Sequence, residues 1–231
     1  MLDKQFLYDW FTHDTLGSYL IIQEQDFIQT ALSKYRPYRT LWLGDLSTHI
    51  AQKMQPENSI TQSEYLPAEI IASAQTLPWR SNTFDCIITA HLPETEPQLT
   101  QILAELYRIT TPQGHLLLTS FNPYSLWRFW RTAQLPNVSK SLSLSHIQQH
   151  AQSAQWQIEK VKFINHLPPF RQPENWQLIE YAGEYLWTQG ATIHGIVLAK
   201  QVAQITPTTQ TQTNIDFDDL NALSIARLNN Q

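Results

Sequence analysis

Between residues 84 and 121 the chain switches hydrophobic period twice, and that switching narrows its possible folds more than any other feature. "FDCIITA" is a short apolar run of strand length, "ETEPQLTQILAELYRIT" carries its apolar residues at helical spacing, and "GHLLLTSF" is a second strand. Pro112 and Gly114 form the turn into that second strand, with Gly114 expected at a positive φ that a branched residue resists.

The rest of the chain repeats the theme. Residues 16 to 35 place Leu16, Leu20, Phe27, Ala31 and Tyr35 on one helical face, closed by Pro37. "RTLWLG" then reads as a buried strand ending at Gly44, followed by a helix with Asp45 or Ser47 as its cap. Residues 55 to 80 are weakly patterned, with a short strand near "SITQSEY". Downstream come a Ser-capped helix at "SLSHIQQHAQSA", a strand at "WQIEKVKFI", a helix at "ENWQLIEYAGEYLWTQG" and a last strand at "TIHGIVLAKQV". Alternating strands and helices imply an α/β protein with a mostly parallel sheet and helices on both faces. The expected domain spans residues 1–202, and the Thr/Gln-rich residues 203–231 are expected to be a disordered tail, with "DFDDLNALSIARL" able to meet a partner.

Composition excludes several function classes. With 42% hydrophobic and 15% charged residues the chain reads as globular. A net charge of −5 disfavours nucleic acid, whose non-specific binding needs clustered Lys and Arg. The single cysteine, Cys86, rules out an internal disulfide framework and suits a reducing compartment. "MLDKQFLYDWF" lacks the basic-then-apolar order of a secretory signal, and no window reaches the roughly 18 apolar residues of a spanning helix. A cytoplasmic protein is expected.

Residues 77 to 123, "LPWRSNTFDCIITAHLPETEPQLTQILAELYRITTPQGHLLLTSFNP", resemble the segment from the loop before the fourth strand through the fifth strand of Rossmann-like S-adenosylmethionine-dependent methyltransferases. The matching residues are Leu77, Pro78, Trp79, Phe84, Asp85, Glu94, Glu105, Arg108, Pro112 and Gly114. Trp79 replaces the usual Phe, Pro93 enters the loop, and Gln113 replaces the first glycine of a pair. With "SFNPYSLWRFW" and "LGSYLIIQEQ" included, the chain is similar to a type-11-like proteobacterial branch over about residues 10 to 200.

The resemblance implies a Rossmann-like methyltransferase sheet with an antiparallel C-terminal hairpin, and S-adenosylmethionine as cofactor. It places the cofactor turn at Gly44 and Asp45, the ribose carboxylate at Glu64, the adenine contacts at Ser73, Ala74 and Gln75, and a further contact at Ala90. Substrate-facing positions fall on His91, Asn122 and Tyr124, with His91 a candidate general base because imidazole titrates at about 6.5. Methyl transfer needs chiefly alignment, so positioning alone can suffice.

Each position has a second reading. The family's cofactor loop carries two or three glycines, whereas "LGDLSTH" carries one and can be a turn that merely packs. Glu64 can be a solvated surface residue, and Ser73 stands where a carboxylate is usual. Asp85 reads as structural and Cys86 as inert packing. His146 and His150 are four apart on a helix without a third ligand, so no metal is expected. "YSLWRFWR" can meet a membrane surface or bases, or place Trp127, Phe129 and Trp130 in a lid or subdomain core with Arg128 and Arg131 outward. The function expected is methyl transfer to a small or medium acceptor. The alternatives are a cofactor-deficient scaffold or partner subunit and, far behind because residues 44–49 lack G-x-G-x-x-G, a nicotinamide-dependent dehydrogenase.

Overall fold

The computed structural model describes residues 2–64, 68–130, 132, 134–169 and 190–200. The expected helix at "ENWQLIEYAGEYLWTQG", all but its last residue, and the expected tail lie outside them.

An unanticipated helix, α1 (Lys4–His13), opens the fold. Its cap is Asp3, whose carboxylate accepts from the Phe6 amide at 2.8 Å, and it buries Leu7, Trp10 and Phe11, spaced as one helical face. Asp14 ends it and caps α2 (Thr15–Tyr35), accepting from the Leu16 and Gly17 amides. There follow β1 (Thr40–Leu43), α3 (Asp45–Met54), β2 (Ser59–Ser63), β3 (Ile70–Ile71), β4 (Phe84–Ala90), α4 (Leu92–Thr95), α5 (Leu99–Ile109), β5 (Thr110–Phe121), α6 (Leu144–Ser153), β6 (Trp156–Ile164) and β7 (Ile193–Lys200).

The seven strands form one sheet in the order β3-β2-β1-β4-β5-β7-β6. The pairs from β3 through β5 are parallel, while β7 is antiparallel to both β5 and β6. Successive strand residues point to opposite faces, so the sheet divides the core in two. Trp42, Ile88, Leu117 and Val197 pack with α1, α2 and α3. Leu41, Ile87, Leu116 and Ile196 pack with α5 and α6. Strand order reverses between β1 and β4, whose last paired residues are Leu43 and Thr89. Open α/β sheets leave a crevice at the carboxyl ends of such neighbours.

Three local expectations need correction. The helix expected over 94–110 is two helices, because Pro97 has no amide to donate and the residue before it, Glu96, is extended with φ −110° and ψ 119°. Neither Asp45 nor Ser47 caps α3. Gly44 is the cap residue, and those two side chains bond elsewhere.

The third correction concerns the turn before β5. The positive φ falls on Gln113, at 67°, and not on Gly114. Glycine is needed at 114 for space: a Cβ there would lie 2.9 Å from the Thr111 carbonyl oxygen and 3.0 Å from that of Asp85. This crowding accompanies a register shift between β4 and β5, where Phe84 faces Thr110 but Cys86 faces His115. Gly114→Ala should lower unfolding stability by about 1 to 3 kcal/mol through overpacking against backbone. Urea unfolding checks this, and a midpoint matching the wild type would show that the bulge yields freely.

Candidate functional site

The crevice at the β1–β4 reversal is a cavity built from five parts of the chain. Leu43 and Gly44 end β1, and Asp45 and Leu46 begin α3. Ser63 and Glu64 close β2, Ala72 and Ala74 follow β3, and Ala90 and His91 end β4. Thr95 and Glu96 come from the α4 turn, and Lys4, Leu7 and Tyr8 of α1 form the outer wall.

Gly44 sets the geometry. Its φ of 97° and ψ of 161° lie in a backbone region essentially restricted to glycine. A Cβ on Gly44 would meet no atom within 4 Å, so the space beside it is free. The Gly44 amide donates to the Gln62 carbonyl at 2.8 Å, and the Gln62 side chain accepts from the Trp79 indole at 2.6 Å. Asp45 accepts from the Ser63 hydroxyl, which ties the turn to β2. Ser47 accepts from the Ala90 amide at 2.7 Å, which ties α3 to β4. The start of α3 carries no side-chain cap, so its first amides and positive dipole end are left to whatever enters the crevice.

Glu64 presents a carboxylate at the end of β2, with its side chain 35% exposed. Lys4 Nζ lies 3.1 Å from Glu64 Oε2 and also pairs with Glu96. Burial alone would lower the Lys4 pKa, but the two carboxylates outweigh it and hold the ammonium above its usual range. Of the three adenine candidates only Ala74 lines the cavity. Ser73 bonds locally to the Gln75 amide at 3.3 Å, and Gln75 is exposed.

His91 has a different character from a general base. It is buried at positive φ, 55°, as the cap residue of α4. Its Nε2 is 3.0 Å from Glu24 Oε1, and Nδ1 faces Glu94 Oε2 at 3.7 Å, outside hydrogen-bond range. Thr119 donates to Glu24 at 2.6 Å, and Glu94 accepts from the Phe121 amide at 2.6 Å and from the Ser120 hydroxyl at 2.8 Å. Burial disfavours the imidazolium, but Glu24 first and Glu94 second outweigh it and raise the pKa to about 9. At neutral pH His91 is therefore a cation with no lone pair to take a proton.

Asn122 and Tyr124 lie outside the cavity. Asn122 is buried and donates to the Ala191 carbonyl at 2.8 Å, while its side-chain oxygen accepts from the Tyr124 amide at 2.9 Å. Tyr124 is exposed. Asp85 is structural, accepting from the Arg39 amide and the Thr111 hydroxyl, both at 3.0 Å. Burial pushes the Cys86 thiol up to about 12. His146 bonds to Ser143 and His150 to Thr100, and among the described residues no group of three His, Cys, Asp or Glu side chains is arranged to hold a metal ion. In the aromatic run only Trp127 is buried, donating to the Leu167 carbonyl, whereas Phe129 and Trp130 are exposed; Arg131 lies outside the described residues. No described helix is long and apolar enough to cross a membrane.

Residues 29–118 match the family model "Methyltransferase domain". Residues 29–118 thus carry the pattern of a methyltransferase domain, and the fold is that of the Rossmann-like methyltransferases. A structure of an S-adenosylmethionine-dependent methyltransferase from Aquifex aeolicus superposes with a TM-score of 0.56 at 12% identity, covering 87% of this chain and 100% of the other. One from Thermotoga maritima gives 0.57 at 14% identity, over 78% and 89%. The [4+2]-cyclase SpnF gives 0.54 at 12% identity, over 77% and 81%. No curated protein sequence matches the chain. Domain and fold imply S-adenosylmethionine as the cofactor of this class. The site fits such a group: free space beside a glycine-only turn, an uncapped helix start and a carboxylate converge on one crevice.

Sequence reasoning missed Lys4, Tyr8, Glu24 and Glu96. Glu24 had a signal, because it sits between Leu20, Ile21, Phe27 and Ile28 on the apolar stripe of α2, where a charge must find a buried partner. Its pairing with His91 has a pH signature. His91 titrates at about 6.5 unfolded and about 9 folded, so the pair's stabilisation is complete below about 6.5 and is lost as pH rises through about 9. Wild-type stability should therefore fall by about 3 kcal/mol across that window, and Glu24→Gln should be less stable at pH 7 with a flatter profile. Chemical denaturation at several pH values checks both, and a wild-type profile flat across the window would exclude a charged His91.

Proposed function

We propose that this protein transfers a methyl group from S-adenosylmethionine to a small or medium acceptor. The observation that carries the reading is Gly44, whose glycine-only backbone keeps free space open at the strand-order reversal, opposite Glu64. The cofactor supplies an electrophilic methyl group on a sulfonium. Gly44 and the first amides of α3 receive its carboxylate end, where the helix dipole favours negative charge. Glu64 accepts from the ribose hydroxyls, and Ala74 and Ala90 give close apolar walls.

Asp45, on the cavity wall, braces the turn through Ser63. His91, held as an imidazolium, shapes the end of β4 and takes no proton from the acceptor. Alignment of the acceptor within a walled crevice therefore carries the rate, as a displacement at carbon permits. Asn122 and Tyr124, outside the crevice, keep no catalytic role in this reading.

A second reading, a methyltransferase-like scaffold without cofactor, is favoured by the Lys4 ammonium already sitting on Glu64. Fold alone does not choose between them, since a cyclase shares it. Calorimetric titration with S-adenosylhomocysteine does. Under the enzyme reading the wild type binds, Gly44→Trp abolishes binding, and Glu64→Gln weakens it about tenfold, the worth of one charge-assisted hydrogen bond. No heat from the wild type at millimolar ligand selects the scaffold, and binding that survives Gly44→Trp moves the pocket elsewhere.

A further inference from the structure

We infer that α1 is a strap over the cofactor cavity, latched by Lys4 on the carboxylate that receives the ribose, so that cofactor binding releases its first turn. This rests on the cofactor reading above. The polar ties of that turn, and of Leu2 before it, run to the cavity rim and to the adjoining α4. Lys4 Nζ bridges Glu64 at the end of β2 and Glu96 beyond α4, and the Leu2 amide donates to the Glu94 carbonyl at 2.9 Å.

The far half of α1 is anchored differently. Trp10 and Phe11 are buried, with Trp10 set edge-on to Phe121 and Trp127 at centroid separations of 6.5 and 6.1 Å. The far end of the helix is thus fixed by core aromatics, and the near end is held over the crevice by the ionic contacts of Lys4 together with the buried Leu2 and Leu7 side chains. Lys4 and Glu64 are each 35% exposed, so their pair is in partial contact with water and exchanges readily for another donor. Glu96, at 7%, is the buried member of the latch.

Ribose hydroxyls donating to Glu64 would compete with Lys4 for the same carboxylate, in a cavity that Lys4 and Tyr8 wall. Occupancy of the crevice and docking of the first turn therefore oppose one another. By linkage the opposition is reciprocal: whatever undocks the turn tightens the cofactor, and the cofactor undocks the turn.

Hydrogen exchange over residues 2–10 of the full chain, with and without S-adenosylhomocysteine, reads one direction, and calorimetry reads the other. Exchange of that segment should speed up with ligand. Lys4→Met should bind the ligand about threefold more tightly, in line with the modest worth of a half-exposed ion pair. The Lys4→Met/Glu96→Gln variant, which leaves no buried carboxylate unpaired, should show the same gain. Exchange that is unchanged or slowed by ligand, or affinity equal to or below wild type in both variants, overturns the strap. Failure of the wild type and both variants alike to bind overturns the cofactor reading instead, and the strap with it.

Discussion

The chain must leave β1 through a backbone conformation that only glycine adopts, and the order of the site follows from that requirement. At φ 97° and ψ 161° Gly44 turns the strand sharply into α3 while its amide still reaches the Gln62 carbonyl of the neighbouring strand. Asp45 then falls beside Ser63, and Ser47 beside the Ala90 amide. Three strand ends are thereby held at fixed separation around one open space. A side chain at 44 would both strain the turn and fill the space, so fold and site depend on the same missing Cβ.

Most of the fold was legible because period and punctuation agreed. The apolar runs at 40–43, 84–90 and 115–121 are buried strands, and the Leu99, Ile102, Leu103, Leu106 and Ile109 spacing of α5 is a helix face. The expected antiparallel hairpin is present as β6 and β7. Boundaries failed where one residue overrode its neighbours, as Pro97 did in splitting a helix. One glycine suffices for the turn after β1, because Gly44 is the residue there with a glycine-only conformation.

The site itself was half legible. Gly44, Asp45, Glu64, Ala74, Ala90 and His91 do meet in one crevice, because each ends a strand or starts a helix on the same sheet edge. Ser73, Gln75, Asn122 and Tyr124 do not, although each is close in sequence to an edge residue: Ser73 turns to the Gln75 amide and Asn122 to the Ala191 carbonyl, while Gln75 and Tyr124 are exposed. Partners such as Glu24 for His91 and Lys4 for Glu64 lie 67 and 60 positions away, beyond the reach of any local pattern.

The segment "HLPETEP" shows how a four-residue helix can join these systems. His91 caps α4 in a left-handed conformation, and the prolines at 93 and 97 keep the helix short. That brevity lets three residues face three ways. His91 and the Glu94 carboxylate turn inward to α2 and β5, the Glu94 carbonyl receives the Leu2 amide, and Glu96 turns outward to Lys4. The inward contacts are nearly water-free, whereas the outward Lys4 is one-third exposed. A buried charge network of this kind is costly to break, and a partly solvated ion pair is cheap to exchange. One turn of helix therefore presents a water-free side to the core and a partly solvated side to the crevice, so the contacts cheapest to exchange are those toward α1.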